Sequence, residues 1–146
     1  MIHSILVICT GNICRSPLGE RLLLQQLPRL QVSSAGISAL VGHRADPQAQ
    51  SVAMMHGISL VGHIGRQLTA QMMRQSDLIL AMEAEQINRI SLIAPEVRGK
   101  ALLFGQWLKN QEIPDPYGKS MDAFEYVFRQ LGEASQEWAK RLKVKE

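Results

Sequence analysis

The sequence predicts an α/β fold in which helices cover both faces of a parallel sheet. Short β-branched, apolar runs alternate along the chain with segments of helical length. The runs are apolar at nearly every position, as expected for parallel strands buried on both faces. We detect no internal repeat or Pro/Gly-rich linker. The 146 residues are therefore expected to form one domain over residues 1–146, a three-layer α/β/α unit with a four-stranded parallel sheet.

The predicted elements alternate in chain order. Strands are expected over residues 2–9, 31–35, 76–82 and 100–104, and helices over 18–27, 47–56, 83–93 and 120–142. Gly57 is expected to close the second helix and Pro95 to end the third. The last helix has the clearest pattern, because its apolar residues recur every three or four positions and form one stripe. These residues are Phe124, Val127, Phe128, Leu131, Ala134, Trp138 and Leu142.

Composition and charge exclude several classes of protein. The net charge of +3 mildly favours anionic substrates, but no Lys/Arg stripe with interleaved aromatic residues suggests nucleic-acid binding. The apolar runs are much shorter than the roughly 20 residues that cross a bilayer, and the N-terminus does not resemble a signal peptide. We therefore expect a cytoplasmic protein without membrane insertion. The two cysteines are too few for a disulfide scaffold.

The loop after the first strand is the candidate anion site, because ligands of such folds bind at the carboxyl ends of strands. The loop reads Cys-Thr-Gly-Asn-Ile-Cys-Arg-Ser-Pro over residues 9–17. Ser16 is predicted to cap the following helix, with Pro17 as its first residue. Gly11 and Asn12 tolerate positive φ, so the loop can direct several N–H groups into one concavity beside the helix N-terminus.

The side chains of this loop suit phosphate chemistry. Surrounding N–H groups and the helix dipole favour the thiolate of Cys9, which makes it a nucleophile. Arg15 offers a planar fork for two phosphate oxygens, and the Ser16 hydroxyl can donate to the sulfur. The alternatives are that Cys9 is a small buried hydrophobe and that the glycine-containing loop is only a turn. The predicted phosphate-binding loop comprises Thr10, Gly11, Asn12, Ile13, Cys14 and Ser16, beside Cys9 and Arg15.

Phosphate-ester cleavage also needs a general acid, because an alkoxide or phenolate leaves poorly without a proton. Asp115 is the candidate: Pro114 and Pro116 restrict its backbone, and it lies between the last strand and the last helix. The alternative is that this Pro-Asp-Pro segment is only a rigid turn. Asp77 is expected to stabilise structure, and Asp122 suits the first turn of the last helix.

These motifs together resemble those of the low-molecular-weight protein-tyrosine phosphatases. The resemblance rests on VICTGNICRSP, SSAG at 33–36, GHIGRQLT at 62–69, SDLILAM and IPDPY. Residues 94–107 and the segment PDPYGKSMDAFE resemble the bacterial branch encoded with capsule and exopolysaccharide genes, whose usual partner is a tyrosine autokinase of polysaccharide export.

The resemblance implies roles for individual residues. Cys9 would be the nucleophile, Arg15 the phosphate ligand and Asp115 the acid. Ser34 and His63 would support the loop through hydrogen bonds, as would Asn12 and Ser16. Leu40 and Tyr117 would line the substrate cleft. Eukaryotic members carry a second tyrosine where this chain has Gly118, and a larger aromatic residue at the position of Leu40.

The sequence therefore predicts a phosphotyrosine phosphatase that works through a cysteinyl-phosphate intermediate and needs no metal or organic cofactor. One alternative is an arsenate reductase of the same fold, but that enzyme needs a further cysteine, and none follows Cys14. The other alternative is a phosphate carrier or phosphate-binding module. Arg15 and Asp115 argue against it, because a carrier should avoid hydrolysis.

Overall fold

A four-stranded parallel sheet lies at the centre of the computed structural model, which describes residues 1–142. Its strands are β1 (Ser4–Cys9), β2 (Gln31–Gly36), β3 (Leu78–Ala81) and β4 (Ala101–Leu103). They are arranged in the order β2-β1-β3-β4, and every neighbouring pair is parallel. The predicted fold class and number of strands are confirmed. β1, β3 and β4 are shorter than predicted at one or both ends.

Five α-helices connect the strands or follow them within the described residues: α1 (Arg15–Gln26), α2 (Pro47–Met55), α3 (Ala70–Gln75), α4 (Ala84–Ile93) and α5 (Met121–Leu142). A short 3₁₀ helix, Pro95–Lys100, leads into β4. The sequence analysis missed α3 because its six residues are too few to show a helical period. Gly57 ends α2 with φ of 77°, as predicted.

The core has two parts, one on each face of the sheet. Along β1, Ile5 and Val7 face the part formed with α1, α2 and α5, whereas Leu6 and Ile8 face the part formed with α3 and α4. This alternation follows from the two-residue period of a strand. It explains why the strand is apolar at successive positions and confirms the three-layer arrangement.

Helix α5 buries the predicted stripe. The first six of its seven members, from Phe124 to Trp138, are all buried. The Trp138 Nε1–H donates to the Phe104 carbonyl at 2.8 Å. Asp122 lies in the first turn of α5, as expected.

None of the helices within residues 1–142 combines the length and apolar character that a membrane span requires.

The strand order places the loop after β1 at a topological switch point. The chain passes from β1 to β2 on one side and later to β3 on the other, so the connections diverge from the carboxyl end of β1. Crevices of this kind are where open α/β sheets bind ligands. Residues 10–14 occupy that position.

Candidate active site

The loop that follows Cys9 holds its carbonyl groups away from the cleft. The carbonyls of residues 9–14 accept, in order, from Ile37 N, Ser38 N, Leu40 N, His63 Nε2, Asp46 N and Leu18 N, at 2.6–3.3 Å. Asn12 adopts the left-handed conformation, with φ of 61°. Gly36 permits the close packing, because a Cβ there would lie 2.6 Å from the Thr10 carbonyl oxygen.

With the carbonyls turned outward, the N–H groups converge on the concave side. Within residues 1–142, Gly11, Ile13 and Cys14 have no acceptor for their N–H groups. The N–H groups of Arg15 and Ser16 belong to the first turn of α1, where no intrahelical acceptor exists. Converging N–H groups beside a helix N-terminus are the arrangement expected of an anion site.

Cys9 lies at the base of this concavity, buried at the end of β1. Its Sγ is 2.9 Å from Ser16 Oγ and accepts from Asn12 N at 3.3 Å. Because Ser16 Oγ accepts from Asn12 Nδ2 at 2.8 Å, its own hydrogen is left to donate to the sulfur. Two donors therefore point at Sγ, an arrangement that stabilises negative charge on it.

The prediction that Ser16 caps α1 is wrong. The helix begins at Arg15 with Cys14 in the N-cap position, and Ser16 is its second residue. The Ser16 hydroxyl is unavailable for capping because it contacts Cys9 and Asn12.

The second cysteine of the loop, Cys14, is buried. This burial raises the pKa of its thiol well above the usual value, so the thiol stays protonated at neutral pH.

Asn12 organises the loop with every polar group of its side chain. Its Nδ2 donates to Ser16 Oγ and to Ser34 Oγ at 3.0 Å, and its Oδ1 accepts from Arg66 N at 2.9 Å. His63 Nε2 donates to the Asn12 carbonyl at 2.6 Å. Ser34 and His63 are thus both hydrogen-bonded to Asn12, and the supporting role that the resemblance implies for them stays a prediction.

Asn12→Ala should lower the free energy of unfolding by about 2–4 kcal/mol and reduce activity strongly. The change removes three side-chain hydrogen bonds, leaves the buried Ser34 hydroxyl without this donor, and places alanine at a positive φ. Chemical denaturation and turnover of p-nitrophenyl phosphate measure the two effects. The control is Asn88→Ala, which alters an exposed residue of α4. Similar stability losses in both variants would contradict the role assigned to Asn12.

Arg15 is buried, with 2% of its surface exposed. Its Nη1 donates to Glu83 Oε1 at 2.7 Å and to the Ile113 carbonyl at 2.8 Å. The sequence analysis missed both partners. Glu83 could have been found, because it follows a predicted strand and carboxyl ends of parallel strands meet at one edge. The Ile113 contact uses a backbone carbonyl, for which no side-chain signal exists.

Asp115 lies across the cleft from the loop. Its Oδ1 accepts from Tyr117 N at 3.0 Å, and its Oδ2 is 3.8 Å from Arg15 Nη2. About half of its side chain is exposed, so it can reach a bound ligand and water.

Asp77 has a structural environment. It accepts from the backbone N–H groups of His3 and Ser4, which lowers its pKa and supports the predicted structural role.

Ten of the thirteen predicted site residues line one cleft of about 270 Å³. Leu40 and Tyr117, both part-exposed, form its mouth. Ser16, Ser34 and His63 lie behind the loop and do not line the cleft. The lining consists of Cys9, Thr10, Gly11, Asn12, Ile13, Cys14, Arg15, Leu40, Asp115 and Tyr117.

Comparison with known proteins decides the family. Residues 4–146 match the model described as low molecular weight phosphotyrosine protein phosphatase. The chain belongs to this family. Its relatives include the low molecular weight protein-tyrosine-phosphatase Etp of Escherichia coli K12, which is 65% identical over 140 residues, 96% of this chain and 95% of Etp. Membership in the family confirms the predicted enzyme class, a protein-tyrosine-phosphatase.

Solved structures of bacterial tyrosine phosphatases have the same fold. The tyrosine phosphatase Wzb from Escherichia coli K30, in complex with sulphate, superposes with a TM-score of 0.96 at 54% identity, covering 97% of this chain and 99% of Wzb. Vibrio vulnificus Wzb, in complex with benzylphosphonate, gives a TM-score of 0.95 at 46% identity, covering 97% of this chain and 100% of that protein. Both proteins bind a tetrahedral oxyanion group in these structures.

Proposed function

We propose that this phosphatase hydrolyses phosphotyrosine in proteins in two steps, with Cys9 as nucleophile, Arg15 as phosphate ligand and Asp115 as general acid and base. The observation that carries the proposal is the convergence of these three side chains on one 270 Å³ cleft. The proposed enzyme comprises residues 1–146 as one domain, and the steps use no metal ion or organic cofactor.

In the first step, the Cys9 thiolate attacks phosphorus while the bond to the tyrosine oxygen breaks. The Asp115 carboxyl transfers its proton to that departing oxygen, so that tyrosine leaves as a neutral phenol. The loop N–H groups and Arg15 stabilise the negative oxygens of the transferring group, and this preorganised charge supplies a large part of the acceleration. The product on the enzyme is a cysteinyl-phosphate.

In the second step, water attacks the phosphorus of that intermediate and the sulfur–phosphorus bond breaks. The Asp115 carboxylate accepts a proton from the water, and inorganic phosphate forms. The electron pair of the broken bond returns to Sγ, which Ser16 Oγ at 2.9 Å and Asn12 N at 3.3 Å are placed to stabilise. The same two donors therefore assist both formation and departure of the thiolate.

The mouth of the cleft favours an aromatic phosphate ester. Leu40 presents apolar surface there and Tyr117 aromatic surface, and 39% of Leu40 and 57% of Tyr117 are exposed. A tyrosine ring can pack against them while its phosphate reaches the loop. The binding of benzylphosphonate by the Vibrio vulnificus relative supports a ligand with an aryl group beside the tetrahedral centre.

We propose that the enzyme acts in the cytoplasm and that its substrate is a tyrosine autokinase of polysaccharide export. This substrate would link the enzyme to capsule or exopolysaccharide production. The resemblance of residues 94–107 to that bacterial branch supports the link to polysaccharide export, and the relatives named as tyrosine phosphatases support a phosphotyrosine substrate. A phosphate carrier or binding module would form the cysteinyl-phosphate without continuous turnover. Steady hydrolysis of p-nitrophenyl phosphate distinguishes the enzyme from such a module.

Asp115→Asn should reduce kcat/KM for phosphotyrosine by roughly 10²–10⁴-fold and kcat/KM for p-nitrophenyl phosphate much less, because kcat/KM reports on the first step and not on hydrolysis of the common cysteinyl-phosphate. Tyrosine is a strongly basic leaving group, with a pKa near 10, and needs the proton, whereas nitrophenolate leaves with little help. The alkaline limb of the kcat/KM profile against pH should also weaken. Measuring both substrates across pH with the wild type and the variant tests the assignment.

Asp122→Asn is the matched control, since Asp122 is an exposed aspartate in the first turn of α5. It should leave kcat/KM on both substrates unchanged. The Asp115 variant should still bind phosphotyrosine, because Arg15 and the loop N–H groups are intact. Equal losses of kcat/KM on the two substrates would assign Asp115 to the structure of its turn and would leave the acid to be found elsewhere.

A further inference from the structure

The stretch of chain that carries Asp115 connects β4 to α5. Within residues 1–142, the backbone of residues 114–119 makes hydrogen bonds only inside that stretch, where Lys119 N and Tyr117 N are the donors. The nearest hydrogen bonds that tie this stretch to another element of the fold are those of the two preceding residues, 112 and 113. The position of the Asp115 carboxyl therefore depends on how these two residues are attached.

Both residues are attached to the region where β3 ends and α4 begins. Glu112 Oε2 accepts from Ala84 N at 2.8 Å, and Ile113 N donates to the Met82 carbonyl at 2.9 Å. The second contact joins two backbone groups, so a side-chain substitution cannot remove it directly. Glu112 is therefore the side-chain anchor of this stretch, three residues before the candidate acid.

The contact between Glu112 and α4 has a clear physical basis. Ala84 is the first residue of α4, so its N–H has no acceptor within the helix. The helix dipole also favours a negative group at this end, and hydrogen bonds to a carboxylate are stronger than those to a neutral acceptor. Glu112 thus caps α4 from a distant part of the chain. This cap either stabilises α4 alone or also holds the stretch that carries the acid.

We propose that Glu112 is a positioning residue for Asp115: its contact with α4 holds the Pro-Asp-Pro segment where the Asp115 carboxyl reaches the departing tyrosine oxygen. This inference rests on the proposed function. Glu112 does not line the cleft, so it acts through the acid and not on the substrate. Without the contact the segment can shift relative to Cys9, and a displacement of about 1 Å is enough to weaken a catalytic contact. The loss should therefore appear mainly on substrates whose leaving group needs the proton.

Glu112→Ala tests the proposal because it removes the acceptor. We expect kcat/KM to fall roughly five- to twentyfold for phosphotyrosine and less than about threefold for p-nitrophenyl phosphate, since only tyrosine needs the proton. Glu112→Gln keeps an oxygen for Ala84 N and should stay within about threefold of the wild type on both substrates. Glu112→Lys places a cation at the helix N-terminus and should lose at least as much on phosphotyrosine as Glu112→Ala.

Glu85→Ala is the matched control. It removes an exposed carboxylate from the first turn of the same helix and should leave kcat/KM on both substrates unchanged.

The Asp115→Asn background separates positioning of the acid from a general structural role. If Glu112 acts through Asp115, Glu112→Ala should change kcat/KM for phosphotyrosine less than about twofold once position 115 has no proton to donate. Equal fold-losses of Glu112→Ala on the two substrates would identify a purely structural cap, and an unchanged value for phosphotyrosine would show that the contact does not affect the acid. Either result would overturn the proposal. Failure of the proposed function is seen separately, because Asp115→Asn alone would then lose equally on both substrates.

Discussion

Cys9→Ser should reduce turnover by on the order of 10⁶-fold, the loss typical of removing a covalent nucleophile. A serine hydroxyl keeps its proton at neutral pH and offers no comparable anion for attack on phosphorus. Phosphate binding should survive, because the loop N–H groups and Arg15 do not depend on the sulfur. Single-turnover assays with p-nitrophenyl phosphate and calorimetric titration with phosphate measure the two properties.

The binding measurement is also the control for folding. The loop carbonyls of residues 9–14 are held by backbone and His63 donors that the substitution does not touch. A variant that loses turnover and keeps phosphate affinity identifies Cys9 as the reacting group. Substantial steady turnover in Cys9→Ser would contradict the cysteinyl-phosphate mechanism.

Arg15→Lys should lower kcat/KM by roughly 10²–10³-fold although the charge is kept, the loss typical of removing a preorganised donor from a transition-state site. The guanidinium donates hydrogen bonds to Glu83 and the Ile113 carbonyl through Nη1, and its remaining edge is free to bind phosphate. One ammonium group cannot anchor itself to both and also contact two oxygens in that geometry. Steady-state kinetics with p-nitrophenyl phosphate give the result.

Arg74→Lys supplies the matched control. Arg74 pairs with Glu96 at 2.8 Å on the surface, with 61% of its side chain exposed, and such pairs contribute little to stability. The control should show wild-type kinetics and thermal stability. Thermal unfolding of Arg15→Lys checks that its loss of activity is not a loss of fold. Near-normal kcat/KM in a folded Arg15→Lys variant would refute the assignment of Arg15 as the phosphate ligand.

Local chemistry explains why so much of the loop was predictable. Gly11 and Asn12 indicated a turn with positive φ, and Asn12 adopts it. The apolar period of residues 124–138 identified α5 because one face of a helix must be buried. The capping prediction failed at Ser16 because tertiary contacts with Cys9 and Asn12 compete for its hydroxyl. Helix α3 was missed because a short helix shows no period.

The sequence by itself determined the fold class, the loop that follows β1 and the identity of the candidate reactive groups, because these depend on residue type and on spacing within a few positions. The tertiary structure supplied the hydrogen bonds through which Asn12 and His63 hold the loop, and it alone decided how Arg15 is oriented, through Glu83 and the Ile113 carbonyl. The Glu83 and Ile113 contacts join residues 68 and 98 positions apart along the chain. Both contacts form because the carboxyl ends of parallel strands bring distant loops to one edge of the sheet. The strand pattern could have pointed to Glu83, but no local pattern encodes a contact with the Ile113 carbonyl.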